Sequence, residues 1–411
     1  MDATLTINSG PNATTAYLGW SPVSARLALS NVPAGGATVT LRNRKPGSGG
    51  QVCFKLDRQP PFDTTLTLHV ANDHAVDLFV AGQFQHPSTS NRDATIEVIN
   101  AGTNQRLSVT KLMVRVRKDA SSLTAAERRR FLEALGALND SGSGTFSDFP
   151  SMHKGLGLQQ AHGNAGFLPW HRAMLLDLER KLQAIDPTVA LPYWRFDTPA
   201  PSLFTAGYMG ASTASGDVQF APGHPLESWV TESWPGVLRT PRQGAAAPMM
   251  DDTLMKLADP TNRFSTWRAM EGNPHGRAHT LWTGFLFDPK TAARDPLFYL
   301  LHANVDRLWA RWQWLKRRFD VSSPATFKPQ GVAGSPGSTD VGHNLDDTLW
   351  PWNGDTGPGR PPTAPGGPFP PSTLTAAPGP TPALAAMIDY RGVRNQATWL
   401  GYDYDDVPFA T

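Results

Sequence analysis

Cysteine is nearly missing from this 411-residue chain: Cys53 is the only one. That excludes an intrachain disulfide framework and points to a reducing, cytoplasmic setting. Long apolar runs are missing as well, and none approaches the roughly 18 residues needed to cross a bilayer. The opening MDATLTINSG has neither a charged start nor an apolar core, so it does not read as a secretory leader. Charge of one sign is not in excess, with 37 Lys and Arg against 35 Asp and Glu and a formal net charge of +2. Without a basic stripe, nucleic acid is not an expected partner. A chain of this length is expected to hold two or three domains, with core enough to enclose a dry site. No internal repeat stands out.

The first part of the chain alternates with period two. ARLALS, ATVTLRN, QVCFKLD, TLTLHV, VDLFV, ATIEVIN and LSVTKLMVRVR are short, β-branched segments separated by turn clusters such as PAGG and PGSGG. They predict an all-β sandwich over residues 1–116. In QVCFKLD, Val52, Phe54 and Leu56 share one face and Cys53 lies on the other beside Lys55. His69, His74 and His86 fall in this region without helical spacing and read as surface or turn residues. At SSLTAAERRRFLEAL the period changes to that of a helix. Thr124 and Glu127 form a capping box, and Phe131, Leu135 and Leu138 share a face.

Six histidines dominate the rest of the chain: His153, His162 and His171, then His275, His279 and His302. In NPHGRAHTLWTGFL, His275 and His279 are spaced for one helix face, with Trp282 and Leu286 continuing the stripe. His171 shares a stripe with Leu175, Leu178 and Leu182, and His302 leads Val305, Trp309 and Trp312. Any one of these alone reads as a hydrogen-bonded core histidine. Burying so many imidazoles is costly unless their acceptor nitrogens are used, and metal coordination uses them. Imidazole suits copper, and two three-histidine sites facing each other suit chemistry with O2. His153 and His162 sit in FPSMHKGLGLQQAHGNAGF, where glycines predict broken helix or loop.

FLPWHRAMLLDLERKL resembles the first copper motif of the tyrosinase and catechol oxidase (polyphenol oxidase) family of type 3 copper proteins. The stretch from NPHGRAH through DPLFYLLHANVDRLWARWQ resembles its second motif, and LPYWRFD the segment that comes after the first. The resemblance covers about residues 112–405 and implies that His153, His162 and His171 bind one copper ion and His275, His279 and His302 the other. It also implies a mainly α catalytic domain over residues 117–411, built on a four-helix bundle around a dinuclear copper centre. The stretch from Ser322 to about Pro382, rich in proline and glycine, is expected to wrap over the bundle as loop. GYDYDD resembles the family's closing tyrosine motif, and Arg117 the arginine packed against it.

Around the ligands, Asp306, Asn304 and Phe298 flank His302 as candidates for supporting the imidazoles, Asp306 having a salt bridge with Arg307 or Arg311 as its alternative. Glu271, one turn before His275, resembles a glutamate that holds a water near the metals; a helix-start carboxylate is the plainer reading. Leu301 stands where many members have a further histidine. Gln160 stands two residues before His162 and Cys53 is far upstream, so no thioether crosslink is expected. Gly276 replaces an asparagine common in monophenol-active members, which favours diphenols. The resulting expectation is oxidation of ortho-diphenols to ortho-quinones with O2, accompanied by monophenol hydroxylation. An ortho-aminophenol oxidase and a haemocyanin-like oxygen carrier are the alternatives. A zinc hydrolase is disfavoured because no carboxylate-bearing zinc motif is present.

Overall fold

The computed structural model describes residues 1–8, 17–71, 75–244, 246–256, 263–329, 342–354 and 368–409. His74 and parts of the Ser322–Pro382 stretch lie outside these. The chain forms two compact units. One comprises Met1–Arg117 with Ser372–Ala376 and Trp399–Thr411, the other Lys118–Pro371 with Ala377–Thr398.

The first unit is built of strands: β1 (Asp2–Ile7), β2 (Tyr17–Leu18), β3 (Val23–Ser30), β4 (Ala37–Asn43), β5 (Val52–Lys55), β6 (Thr65–Val70), β7 (Ala75–Gly82), β8 (Ala94–Asn100) and β9 (Arg106–Val114). They make a four-stranded sheet in the order β1-β3-β7-β5 and a five-stranded sheet in the order β2-β9-β8-β4-β6. Alternation sets the faces. In β3, Val23, Ala25, Leu27 and Leu29 are buried while Arg26 and Ser30 are exposed. Inward residues of both sheets, among them Leu27, Val39, Phe54, Val80, Ile96 and Val114, share one apolar core.

Four details differ from the sequence reading. β1 is not among the expected strands, although Ala3, Leu5 and Ile7 alternate inward. β2 pairs with β9 in parallel, whereas the other strand pairs of the two sheets are antiparallel among the described residues. β5 stops at Lys55, so Leu56 leaves the ladder and is 54% exposed. Cys53 does oppose Val52 and Phe54, yet its own face is covered and the thiol lies against the Ala81 carbonyl. His69 and His86 are exposed.

Residues near the C-terminus pack into this first unit, whereas the sequence reading gave everything after residue 116 to one domain. The cause is Arg117, which is fully buried. Its guanidinium stacks 3.7 Å from the Tyr402 ring centroid and donates to the Tyr404 hydroxyl at 2.8 Å. Its backbone N–H donates to the Asp403 carbonyl and its carbonyl accepts from the Asp405 N–H. Trp20 Nε1 donates to the Tyr404 carbonyl and Ser21 N–H to the Asp403 carboxylate.

The second unit is mainly helical: α1 (Ala125–Asn139), α2 (Asp148–Met152), α3 (Gly155–Ala161), α4 (Phe167–Ile185), α5 (Asp251–Lys256), α6 (Phe264–Trp267), α7 (Arg277–Thr280), α8 (Pro289–Ala292) and α9 (Leu297–Lys316). The capping box of α1 forms as expected: Thr124 Oγ1 accepts from the Glu127 N–H and Glu127 Oε2 accepts from the Thr124 N–H. Phe131, Leu135 and Leu138 face inward. α4 and α9 are buried around most of their circumference, the pattern of central helices, and pack against each other.

Truncating a buried arginine removes its hydrogen bonds and ring contacts and leaves a void. Arg117→Ala is therefore expected to lower unfolding stability by about 3 kcal/mol, and Tyr404→Phe by about 1 kcal/mol for the lost hydroxyl bond. Chemical denaturation of the two variants checks both the sizes and the order. Equal or negligible losses would contradict this account of the cluster.

Candidate metal centre

The six histidines converge in two groups. His153, His162 and His171 bring one ring nitrogen each to within 4.8 Å of one another, and His275, His279 and His302 do the same. His153 follows the last residue of α2 and His162 the last residue of α3, the broken helix expected there. His171 and His302 sit in the second turns of α4 and α9, on the stripes read from sequence.

The helix expected through His275, His279, Trp282 and Leu286 does not form. His275 lies in an irregular turn, Gly272–Gly276, because Asn273 precedes a proline and takes extended angles (φ −149°, ψ 117°). α7 then covers only one turn. Trp282 begins a short strand paired with Arg239–Pro241, and Leu286 falls in a 3-10 turn. Trp282 and Leu286 are still buried.

Hydrogen bonding fixes the state of the imidazoles. Nδ1 of His162, His171 and His275 faces the carbonyl oxygen four residues earlier, of Leu158, Phe167 and Glu271, at 3.2, 2.8 and 2.7 Å. Nδ1 of His153 faces the Pro289 carbonyl at 2.9 Å and that of His279 the Leu286 carbonyl at 2.7 Å. Carbonyls only accept, so these five Nδ1 atoms carry the proton and the neutral rings present bare Nε2 lone pairs. Burial keeps the rings neutral. It pulls His162 and His279 down to about 4, and holds His153, His171, His275 and His302 well below the usual range, with neighbouring imidazoles adding to the effect.

The result is a set of acceptors without donors. Nε2 of His153 and His171 lie 3.4 Å apart with no proton to share. Nε2 of His275 is buried with no partner among the described residues. A cation accepting all the lone pairs of a triad resolves both features, so the residues fit a metal pair.

Aromatic rings fill the space around the triads. Phe298 packs 4.2 Å from His302 and 4.9 Å from His153, centroid to centroid. Phe167, not among the residues expected from sequence, lies 4.9 Å from His171 and 4.8 Å from His275. Its position one turn before His171 was the available signal. The His171 and His302 rings stack across the two groups at 4.1 Å.

Asp306 closes onto Arg172, a partner absent from the sequence reading: Arg172 Nε donates to Asp306 Oδ1 at 2.6 Å with both side chains buried. Arg307 and Arg311 both reach Asp251. Asn304 Oδ1 accepts from Arg307 rather than facing an imidazole. Leu301 is buried beside His302. Gln160 is structural, donating to the Gly342 and Thr348 carbonyls and accepting from the Trp350 N–H.

Glu271 is held by the loop after His162, where its Oε1 accepts from the Gly163 N–H at 2.6 Å. Burial raises its carboxyl above the usual range, with that hydrogen bond and the charge of Arg268 opposing the rise. A cleft of about 440 Å³ opens here, lined by Ser265, Arg268, Ala269, Glu271, Gly272, His275 and Gly276. It reaches one histidine of the second triad. Gly276 has helical angles, and a Cβ there would approach nothing closer than the Glu271 carbonyl oxygen at 3.4 Å.

The sequence profile described as "Tyrosinase: Common central domain of tyrosinase" matches residues 143–249 and 227–315. A tyrosinase of Streptomyces antibioticus is 34% identical over 273 residues, covering 59% of this chain and 94% of the relative. A tyrosinase of Streptomyces lincolnensis is 32% identical over 267 residues, covering 58% and 92%. Among solved structures, a functional unit of octopus hemocyanin aligns with a TM-score of 0.48 at 21% identity, covering 72% of this chain and 69% of that one.

A consequence of the neutral rings is testable without metal. Unfolded imidazoles titrate near 6.5, while in the fold His162 and His279 stay neutral down to about 4. Between these values the unfolded chain binds more protons, so the metal-free protein is expected to lose stability as pH falls through this window. Urea denaturation at a series of pH values measures this; stability that stays flat or rises on acidification contradicts it.

Proposed function

The chain belongs to the tyrosinase family, and on that premise we propose that it oxidises ortho-diphenols to ortho-quinones with O2. It is a copper-dependent oxidoreductase of the polyphenol oxidase type, with a dinuclear centre. His153, His162 and His171 would hold one ion and His275, His279 and His302 the other. The observation that carries this is the set of five carbonyl-locked imidazoles whose Nε2 atoms, with the sixth ring of His302, converge in two triads.

Copper, when bound, supplies the electron transfer between phenol and O2. The protein supplies the rest. Phe167 and Phe298 exclude water from between the triads and stiffen the rings. The cleft at His275 admits a phenol, which favours an enzyme over an oxygen carrier with an enclosed centre. Glu271, raised by burial and facing that cleft, accepts a phenolic proton directly or through a water. Gly276 offers this carboxylate no side-chain amide, which supports a preference for diphenols, whose protons leave more readily. Phe298 supports the imidazoles by packing, and Asp306 through its pairing with Arg172; Asn304 acts at one remove, through Arg307.

The architecture completes this reading. Residues 1–116 form an all-β sandwich module, supported by two sheets sharing a core. The unit of Lys118–Pro371 with Ala377–Thr398 supplies the catalytic domain, with a four-helix bundle around α4 and α9. Among the described residues no helix is long and apolar enough to cross a membrane. Cysteine usage supports a cytoplasmic location.

Copper-loaded protein is expected to contain two ions per chain, to be silent in electron paramagnetic resonance when oxidised, and to consume O2 with a catechol. His171→Ala and His279→Ala should each reduce copper to one ion per chain or less and abolish uptake. A single resonant copper, or full activity in either variant, would defeat the assignment.

Diphenols are expected to react much faster than monophenols. Because the space beside Gly276 is open and its backbone is helical, Gly276→Asn should fold and raise the monophenol rate relative to the diphenol rate. Equal rates in the native enzyme would contradict this reading of Gly276.

A further inference from the structure

Arg268 and Glu271 occupy the two ends of one 3-10 turn, Arg268–Glu271. Residues three apart in such a turn eclipse each other, so both side chains leave the same face. The residue after His162 anchors both: the Gly163 N–H donates to Glu271 Oε1 at 2.6 Å and the Gly163 carbonyl accepts from Arg268 Nη1 at 3.0 Å. Gly163 has φ +74° and open space where a Cβ would be, so the clamp comes from its backbone alone. Glu271 Oε1 is thereby held on the loop, while the residue still lines the cleft. Arg268 uses one of its five N–H donors on Gly163 and remains half-buried at the cleft wall.

The cleft of about 440 Å³ lies in the range of small-molecule pockets, roughly 300–1,000 Å³, and exceeds the needs of a single phenol ring. Two of its lining residues, Gly272 and Gly276, have no side chain. Gly272 has nothing within 4 Å of where a Cβ would stand, and Gly276 offers only backbone. A ring placed at His275 therefore has room for a side chain running over the glycines. Among the described residues lining the cleft, Arg268 is the cation at the end of that path.

We infer that Arg268 is a specificity residue that selects phenols carrying an acidic side chain, of the 3-(3,4-dihydroxyphenyl)propionate type, by pairing with the carboxylate at the cleft mouth. This rests on the phenol-oxidising reading of the site. The guanidinium presents a planar fork to the carboxylate, a geometry that lysine lacks. Since the pair is partly exposed, its contribution should be modest, about fivefold in affinity, and screened by salt.

Two arms test it. In the first, the metal-free full chain is titrated calorimetrically with 3-phenylpropionate, 3-phenyl-1-propanol and 3-phenylpropylamine. The acid should bind about fivefold better than the alcohol at low ionic strength, with the amine weakest. Arg268→Gln or high salt should remove that preference, and Arg268→Lys should keep part of it. In the second, copper-loaded enzyme is compared on the propionate catechol and 4-methylcatechol. The acid should be favoured through KM rather than kcat, and Arg268→Gln should collapse the ratio, as expected for uniform binding. Absence of any charge preference in the first arm, a preference for the amine, or an unchanged ratio in Arg268→Gln overturns the inference. Failure of every catechol to support O2 uptake would overturn the phenol-oxidising reading instead, while the metal-free arm still decides the role of Arg268.

Discussion

Five backbone carbonyls, of Leu158, Phe167, Glu271, Leu286 and Pro289, each accept a hydrogen bond from the Nδ1–H of one histidine, and the centre depends on them. A neutral imidazole can carry its proton on either nitrogen. Fixing it on Nδ1 turns Nε2 into a pure acceptor, and burial removes the option of gaining a second proton. Three of the carbonyls lie four residues before their histidine, so the local chain turn itself selects the tautomer. The other two come from α8 and the turn before it, which makes their placement a condition of metal binding. The short, irregular chain between α7 and α9 thus does for His153 and His279 what regular helix does for His171.

Holding two triads at a fixed separation needs α4 and α9 to keep their register, and the Arg172–Asp306 pair lies across that interface. Arg172 follows His171 directly, and Asp306 stands one turn beyond His302. Arg172 also stacks 3.7 Å from the Trp309 ring centroid and 4.3 Å from that of Tyr390, and donates to Gln313 and the Met387 carbonyl. Desolvating such a pair costs nearly what the attraction returns, so it adds little net stability, whereas removing one partner leaves a buried charge uncompensated. Sliding one helix by a turn would leave two buried charges unpaired. The stacked His171 and His302 rings result from the same alignment.

Much of this was legible in the sequence because the signals were local and periodic. Strands β3 to β9 follow from alternation, α1 from Thr124 and Glu127, and the stripes of α4 and α9 from apolar spacing around His171 and His302. Arg117 and the closing tyrosines were legible by family resemblance, although the first unit's claim on that segment was not, since it depends on which body a long-range contact joins. The pattern misled where chain geometry overrode spacing. His275 and His279 are four apart, but Asn273 ahead of Pro274 breaks the helix, and Gly284, at φ +80°, turns the chain at the end of the short strand beyond it. Arg172 and Arg268 carry no such signal, because a single charge in a sequence gives no sign of whether it is buried on a partner or lines a cleft.

Cys53 gains a different meaning from the proposed chemistry. An ortho-quinone is a soft electrophile, and protein thiolates are its fastest trap, so an enzyme that releases quinones is exposed to alkylation by its own product. The chain's one thiol is buried against the Ala81 carbonyl and pushed up to about 12 by that burial and by the charge of Asp63. At neutral pH it holds almost no thiolate. The strand pairing of β5 and β7 thereby shields the thiol during turnover, a property of the strand-built unit that a comparison of active sites would not reveal.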